Sequence, residues 1–399
     1  EEETVQEQEQ EVIEDDAWGE DIVQEEPETK QKREEVEEDV DDSGWGDNIG
    51  EEEIDTSGLE ATSIGGGSGS SQLANATPGR SLAEQWPDNS QHPADHVAAG
   101  SFNTAMDIYS KASGIVNFKP LKPYFMSLYA GANVAVSLAP SLPSLVHSLQ
   151  RTKPGQDSLP VLANCTIDDL NKKQTLALNA TSKAQLEEAI AIFRDVMYSS
   201  LFMITENKNQ ERVVAELIRT SSEYITALRL EVTRRGLSAD DALRGSELAA
   251  YFTRCKLQNK HLMLGLKSAM TTAYKLENFL YAASFANRLL KMNPQPNLAK
   301  QAQVVLQTKE QKPTNKHEMK YDERNPMVVC NISLTPIYSG CDKVHCSFCG
   351  ASYLPQYKND VCTVCNIARI GVNAIGLFKY VQQFKTSDMN QASGGWDDE

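Results

Sequence analysis

The chain has 399 residues with 38 basic and 56 acidic side chains, which gives a net charge of −18. At roughly 150 residues per domain, this length allows two or three domains with a sizeable core. No apolar run approaches the roughly 18 residues of a membrane span, and no stretch has the pattern of a secretory signal. We therefore expect neither a membrane-spanning segment nor a secreted, disulfide-bonded protein.

The charge is divided unevenly along the chain. Residues 1–60 hold 27 Asp and Glu against three bases, a net charge of −24, which leaves +6 for residues 61–399. The first segment is also poor in apolar side chains, so it predicts a disordered acidic arm over residues 1–60. The Gly, Ser and Pro residues that follow predict a flexible linker over residues 61–92.

Apolar residues recur at three- and four-residue steps from Leu186 to Leu201, which predicts an amphipathic helix. Ser182 and Gln185 have the spacing of a capping box at the start of that helix. A second helix is expected to end near Gly236. Further helices are expected at about 239–257, 260–275, 277–292 and 298–309, with a break at Pro294.

Two of these segments are alike in sequence. Residues 186–194 and 281–290 both carry small residues at close-packing positions and a late aromatic, a pattern typical of the second helix of tetratricopeptide-type hairpins. The strict tetratricopeptide period is missing, so we predict an irregular helical-hairpin array over residues 93–325. Short apolar runs and turn residues then predict a small β-rich, zinc-ribbon-like module over residues 326–385, followed by a polar tail over residues 386–399. The fold class is therefore mainly α.

Six of the eight cysteines fall within residues 330–365, and four of them form two Cys-x-x-Cys pairs separated by twelve residues: Cys346, Cys349, Cys362 and Cys365. Two such knuckles supply the four thiolates of a tetrahedral Zn²⁺ site, and Gly350 suits the tight turn after the first pair. Four thiolates leave no open coordination position, so the predicted zinc is structural. The alternative is four buried, reduced cysteines without metal.

Three further residues could replace a ligand of this site, namely Cys330, Cys341 and His345. Two complete cysteine pairs make such a replacement unnecessary. We therefore expect these three side chains to be packing or surface residues.

A zinc-ribbon nucleic-acid-binding or transcription-associated protein is the alternative function. Residues 341–365 carry two Lys and two Asp, so the ribbon offers no basic surface for phosphates and we expect no nucleic acid. The six histidines are scattered and no phosphate-binding loop is present. We therefore expect no enzyme and no small-molecule substrate.

Two other features suggest binding surfaces. Trp18, Trp45 and Trp396 each stand among acidic residues, and an aromatic anchor with carboxylates around it suits a pocket with a basic rim. Residues 251–300 carry eight bases and one acid. This basic strip is either the solvated face of several helices or a patch for an acidic partner, an anionic membrane surface or the acidic arm.

The sequence resembles the C-terminal domain of the alpha subunit of coatomer over residues 90–385. The resemblance rests on four segments together with Tyr338-Ser-Gly340, the cysteine pairs and Ile370-Gly-Val-Asn-Ala-Ile-Gly-Leu377. The four segments are Pro93-Ala-Asp-His-Val-Ala-Ala-Gly-Ser-Phe102, Glu247-Leu-Ala-Ala-Tyr-Phe-Thr253, Phe285-Ala-Asn-Arg-Leu-Leu290 and Asn325-Pro-Met-Val-Val-Cys330. The tail over residues 386–399 runs past the usual end of that family.

The resemblance implies a component of the COPI vesicle coat, which acts in Golgi-to-endoplasmic-reticulum and intra-Golgi transport. It implies that this domain docks the epsilon subunit, a tetratricopeptide protein that wraps around it, and associates with other coatomer subunits. It also implies a cytoplasmic protein that is held peripherally on Golgi membranes and COPI-coated vesicles through the coat.

Overall fold

The computed structural model describes residues 88, 90–137, 144–151, 159–160, 165–205, 207–377 and 379. Most of these residues lie in helices and the strands are short, which confirms the mainly α fold with a small β-rich module. The acidic arm over residues 1–60, nearly all of the predicted linker and the polar tail lie outside the described residues. The exact domain boundaries stay predictions.

The described part begins with three short helices: α1 (Pro93–Ala98), α2 (Phe102–Ser113) and α3 (Lys122–Gly131). An antiparallel hairpin follows directly, formed by β1 (Asn133–Val136) and β2 (Leu145–Ser148), with Val134 opposite His147. Two shorter strands, β3 (Gln150–Arg151) and β4 (Leu159–Pro160), pair next to it. The sequence patterns predicted no strand here, because neither four-residue strand alternates between apolar and polar side chains.

Seven helices follow, and consecutive helices pack against one another. They are α4 (Ile167–Ser182), α5 (Leu186–Ser200), α6 (Lys208–Arg235), α7 (Ala242–Phe252), α8 (Asn259–Lys275), α9 (Phe279–Leu290) and α10 (Pro296–Gln311). The helix predicted from Leu186 and the helix end predicted near Gly236 are confirmed. The helix before Pro294 ends at Leu290, as the proline requires.

The two segments that look alike in sequence are the first nine residues of α5 and most of α9, and both helices are the second helix of a hairpin. The turn before each is the same. Ala184 and Glu277 adopt left-handed backbone with φ of 59° and 58°. In each turn the next amide, that of Gln185 or Asn278, bonds five residues back at 3.0 Å. This is a Schellman-type helix end, which normally favours glycine. The two hairpins therefore share the backbone geometry of this turn as well as the sequence of the helix that follows it.

The predicted capping box at Ser182 and Gln185 is wrong. Ser182 is the last residue of α4, and its hydroxyl donates to the Leu178 carbonyl at 3.1 Å. Gln185 is the N-cap of α5 and makes no side-chain capping bond. The left-handed residue between them ends one helix before the next begins, so the spacing matched the motif by chance. A true capping box begins α4, where Thr166 and Asp169 exchange hydrogen bonds.

The β-rich module contains two antiparallel pairs. β5 (Met327–Val329) pairs with β6 (Pro336–Tyr338), and β7 (Val344–His345) pairs with β8 (Ser352–Tyr353). One buried apolar cluster runs from α1–α6 into the cysteine-bearing part of the module, and a second joins α6–α10 to the residues that surround β5. The module therefore packs along the helical array and shares its core.

Candidate functional site

The two cysteine pairs meet in the interior of the module. All four side chains are buried, their sulfur atoms lie within 4.8 Å of one another, and none forms a disulfide. The sulfurs of Cys346 and Cys365 are 3.8 Å apart, and those of Cys349 and Cys362 are 3.5 Å apart. Four ligands at 2.3 Å from a tetrahedral Zn²⁺ lie about 3.8 Å apart, so the sulfur cluster has the dimensions of a zinc site. These four buried cysteines can hold a metal ion.

The backbone folds both pairs into the same knuckle. In each, the residue after the second cysteine donates its amide to the carbonyl of the first: Gly350 to Cys346 at 3.0 Å, and Asn366 to Cys362 at 2.9 Å. Both residues have left-handed backbone, with φ of 76° and 59°. Gly350 takes this turn as the sequence predicted. Asn366 was missed, although Asn is the residue most often found in this conformation after glycine.

Burial by itself disfavours the ionised form of the four clustered cysteines. Desolvation raises the pKa of Cys349 and Cys365 well above the ordinary thiol value, and hydrogen bonds with Cys346 and Cys362 add to the effect. Burial acts the same way on Cys362, but there hydrogen bonds from the other cysteines and from Tyr353 outweigh it and hold the pKa low. The Tyr353 hydroxyl lies 3.0 Å from the Cys362 sulfur. A divalent cation would supply the charge needed to keep all four sulfurs ionised.

The second knuckle is fixed to the helical array through its backbone carbonyls. Two side chains one turn apart on α5 supply three of the bonds: Arg194 donates to the carbonyls of Thr363 and Val364, and Tyr198 donates to that of Cys365 at 2.8 Å. Residues between α2 and α3 supply the rest. Asn117 donates its side-chain amide to Asn366 O at 2.7 Å, and the amides of Val116 and Asn117 donate to Ile367 O. Five consecutive carbonyls are thus satisfied by the array.

Other groups join the array to the module beside this knuckle. The Arg229 guanidinium on α6 donates to Asn331 O and to Thr363 Oγ1, both at 2.7 Å. Ser347, in the first knuckle, donates to the Ser113 carbonyl at the end of α2 at 2.8 Å. The cysteine cluster therefore lies where α2, α5 and α6 meet the module.

The three substitute candidates lie outside the sulfur cluster. Cys330 is buried at the end of β5, Cys341 is exposed and His345 is exposed on β7. None belongs to the group of side chains that could hold a metal in the described residues. Their roles as packing and surface residues are consistent with this arrangement.

His261 is the centre of a buried polar contact between helices. Its ring on α8 lies 2.9 Å from the Ser182 hydroxyl at the end of α4 and 2.9 Å from the Tyr224 hydroxyl on α6. Burial, with a smaller contribution from Lys260, lowers the pKa of His261 to about 4. The neutral ring therefore joins three helices at neutral pH.

The basic strip of residues 251–300 is only partly available to a partner. Arg254 donates to Tyr321 and to the Glu323 carbonyl, and Arg288 donates to the Thr253 carbonyl at 2.8 Å and to its hydroxyl. These two guanidinium groups hold α7 and α9 against the segment around Tyr321. The remaining six bases of the strip are lysines, so the surface charge is smaller than the sequence count indicated.

Strand β1 of the hairpin is largely exposed. In β1, Asn133 is half-buried and the next three residues are exposed, so both faces of the strand are accessible. Val134 and Val136 are 42% and 45% exposed, and Met126 on the preceding helix is 49% exposed. The three acidic tryptophan motifs, around Trp18, Trp45 and Trp396, lie outside the described residues.

In the part of the chain that the structure describes, no helix is long and apolar enough to cross a membrane.

Comparison with known proteins gives one consistent result. A family model for the C-terminus of the coatomer (COPI) alpha subunit matches residues 1–385. The coatomer subunit alpha of Dictyostelium discoideum is 38% identical over 307 residues, which are 75% of this chain and 25% of that protein. Coatomer subunit alpha-1 of Arabidopsis thaliana is 36% identical over 313 residues, covering 77% of this chain and 26% of that protein. The Saccharomyces cerevisiae coatomer subunit alpha is 30% identical over 296 residues, which cover 73% of this chain and 24% of that protein. The chain thus spans about a quarter of the length of the curated relatives it matches.

Proposed function

The chain belongs to the family formed by the C-terminus of the coatomer (COPI) alpha subunit, and on this premise we propose that it is a structural part of the COPI coat that docks the epsilon subunit. In this role it serves Golgi-to-endoplasmic-reticulum and intra-Golgi transport. It is cytoplasmic, contacts other coatomer subunits and reaches Golgi and vesicle membranes peripherally through the coat. Because the matched region is about a quarter of each relative, the proposal includes no cargo recognition.

The observation that carries the docking proposal is the exposed hairpin. A two-stranded ribbon is at best marginally stable in water on its own, and this one presents Val134 and Val136 on one face and Ala135 on the other, all exposed. Met126 adds a further exposed apolar side chain on α3. Exposed apolar side chains gathered in one place are typical of a surface that a partner covers.

The geometry of the hairpin suits the epsilon subunit. A tetratricopeptide protein forms a superhelix with a concave surface, which accepts a helix or an extended segment. A narrow ribbon that can be contacted from both faces fits such a groove better than a flat helical surface does. We therefore propose that the docking site is the hairpin together with the adjoining α3.

The proposal is tested by purifying the tagged chain from cytosol and identifying the proteins that accompany it by mass spectrometry. The expected result is recovery of the epsilon subunit with the wild-type chain and its loss with Val134→Glu/Val136→Glu. A matched control is Val304→Glu, since Val304 on α10 is similarly exposed and lies outside the hairpin. Equal recovery of epsilon with both variants would exclude the hairpin, and no recovery with the wild type would exclude the function.

We also propose that Cys346, Cys349, Cys362 and Cys365 bind one structural Zn²⁺. The fit of the sulfur spacing to a tetrahedral site supports this, as does the lack of an open position for catalysis. The metal would hold the two knuckles together and so fix the carbonyls to which the helical array bonds.

Elemental analysis of the purified chain should give about one zinc per chain. Cys349→Ser should lose the metal and unfold at a lower temperature, whereas Cys341→Ser, at an exposed cysteine outside the cluster, should keep both. Loss of the metal in Cys349→Ser without any change in unfolding would show that the metal has no structural role.

Finally, we propose that the motifs around Trp18 and Trp45 dock on a basic-rimmed pocket of another coat or tethering component. Their support is the repetition of an aromatic anchor among carboxylates in the matched region. Pulldowns at low and high salt should recover a partner with the wild-type chain and fail with Trp18→Ala/Trp45→Ala. Equal recovery of the partner with the wild-type chain and the variant would refute docking by these two motifs.

A further inference from the structure

A cleft of about 450 Å³ lies between the first cysteine knuckle and α6. Phe348 and Ile375 line one wall and Ala215 and Ile218 line the other. The volume falls in the range of roughly 300–1,000 Å³ that is usual for ligand pockets. The cleft can therefore accept one large apolar side chain.

The apolar wall of the cleft is open to solvent. Ile375 is 47% exposed, a high value for an isoleucine in a concave site. The lining also carries three bases, Arg212, Arg219 and Lys379, against one acid, Glu211. Arg219 lies 3.6 Å from Glu216 in an exposed pair, which is a weak interaction. An apolar floor with a mainly basic rim fits an aromatic side chain flanked by carboxylates.

The chain itself carries such a segment next to the cleft. Lys379 is both part of the cleft lining and the last described residue, and Trp396 follows it by 17 positions. The sequence there is Gly394-Gly-Trp-Asp-Asp-Glu399, with three acids and two glycines. Seventeen residues span up to about 55 Å when extended, so the reach is ample. A tether of this length gives an effective concentration in the millimolar range.

We propose that the tail docks on this cleft, with the Trp396 indole between Phe348, Ile375 and α6 and the acids at 397–399 against the basic rim. The family match ends at residue 385, so the docking segment is an addition outside the matched region. The tail would cover the exposed wall of the first knuckle. Docking does not depend on the proposed epsilon interface, since the hairpin does not line the cleft.

Trp18 and Trp45 have similar chemistry but a less favourable connection. Trp45 precedes the first described residue by 43 positions, and the cost of closing a loop rises with its length. The tail has the shorter tether, and it leaves the described part of the chain at the cleft itself.

Fluorescence of the full chain tests the proposal, because all four tryptophans lie outside the described residues. Trp18→Phe/Trp45→Phe/Trp86→Phe leaves Trp396 as the only emitter. We expect blue-shifted emission and several-fold weaker acrylamide quenching than for a free indole. Adding Ile375→Glu or Arg212→Glu should restore exposed emission, since neither exposed side chain is needed for the core. Val304→Glu, outside the cleft, should leave the emission unchanged.

Two outcomes overturn the proposal. One is exposed emission of Trp396 in the otherwise wild-type cleft. The other is protected emission that neither Ile375→Glu nor Arg212→Glu alters, which would place the indole elsewhere. A parallel variant that keeps only Trp18 or only Trp45 decides between segments. If that variant is protected and sensitive to Ile375→Glu while Trp396 stays exposed, the arm and not the tail occupies the cleft.

Discussion

Gly265 allows α7 and α8 to pack closely, and replacing it with alanine should destabilise the protein. A Cβ at this position would lie 2.3 Å from Cδ1 and 2.5 Å from Cε1 of Phe252. Phe252 is 2% exposed, so its ring has little room to move. Overpacking of this kind costs about 1–3 kcal/mol, whereas alanine in a helix interior gains about 0.8–1 kcal/mol over glycine. Because the 2.3 Å approach to a buried ring lies at the severe end of this range, we expect a net loss of up to about 2 kcal/mol.

The control is another glycine in a helix of the same array. Gly245 lies in α7, and a Cβ there would meet nothing closer than Arg234 Cγ at 3.8 Å. Gly245→Ala should therefore stabilise the protein by about 1 kcal/mol through helix propensity alone. Urea denaturation followed by far-ultraviolet circular dichroism measures both variants against the wild type. If Gly265→Ala is as stable as the wild type or more stable, the proposed close packing of α7 on α8 is incorrect.

Three further predictions concern the site and its supports. Tyr198→Phe leaves the buried Cys365 carbonyl without its hydroxyl donor and should cost about 1–3 kcal/mol of unfolding free energy, whereas Tyr129→Phe at a half-buried ring serves as control. Tyr198→Phe should also lose the proposed zinc faster to a chelator. The folded-state pKa of His261, about 4, is below the unfolded value near 6.5, so the unfolded state binds the proton first and stability falls as pH drops from about 6.5 to 4. The expected loss of unfolding free energy is about 3 kcal/mol, measured by urea titration, and His261→Gln should remove it. If the unfolding free energy of His261→Gln depends on pH as that of the wild type does, His261 is not a buried neutral ring. Asn366→Gly should keep the metal, whereas Asn366→Val, forced into left-handed backbone, should release it faster to a chelator; equal release rates would count against the knuckle geometry.

The features that depend on local sequence could be predicted. The helices from Leu186 onward follow from apolar periodicity, and the two cysteine pairs identify the cluster because each knuckle is set by four or five consecutive residues. The capping-box error has the opposite cause. Ser182 and Gln185 have the correct spacing, but only the backbone conformation of Ala184 shows that a helix ends between them.

The contacts that position the site could not be predicted, because they join distant parts of the chain. Arg194 and Tyr198 are about 170 residues from the carbonyls that they bind, and on α5 they look like ordinary surface side chains. A spacing of four residues places them on one face of the helix, but nothing in the sequence says what that face contacts. The contacts of Arg254 and Arg288 in the basic strip could not be predicted for the same reason, since both bond to groups that are distant in the chain.

The proposed docking site for the epsilon subunit of coatomer is the β1–β2 hairpin. Isothermal titration of purified epsilon subunit into the purified chain tests it most directly. We predict a one-to-one complex at micromolar or lower concentration, weakened at least about tenfold by Val134→Glu, the factor that corresponds to about 1.4 kcal/mol, and unaffected by Val304→Glu. No heat of binding at micromolar concentrations, or equal affinity for the wild type and Val134→Glu, would contradict it.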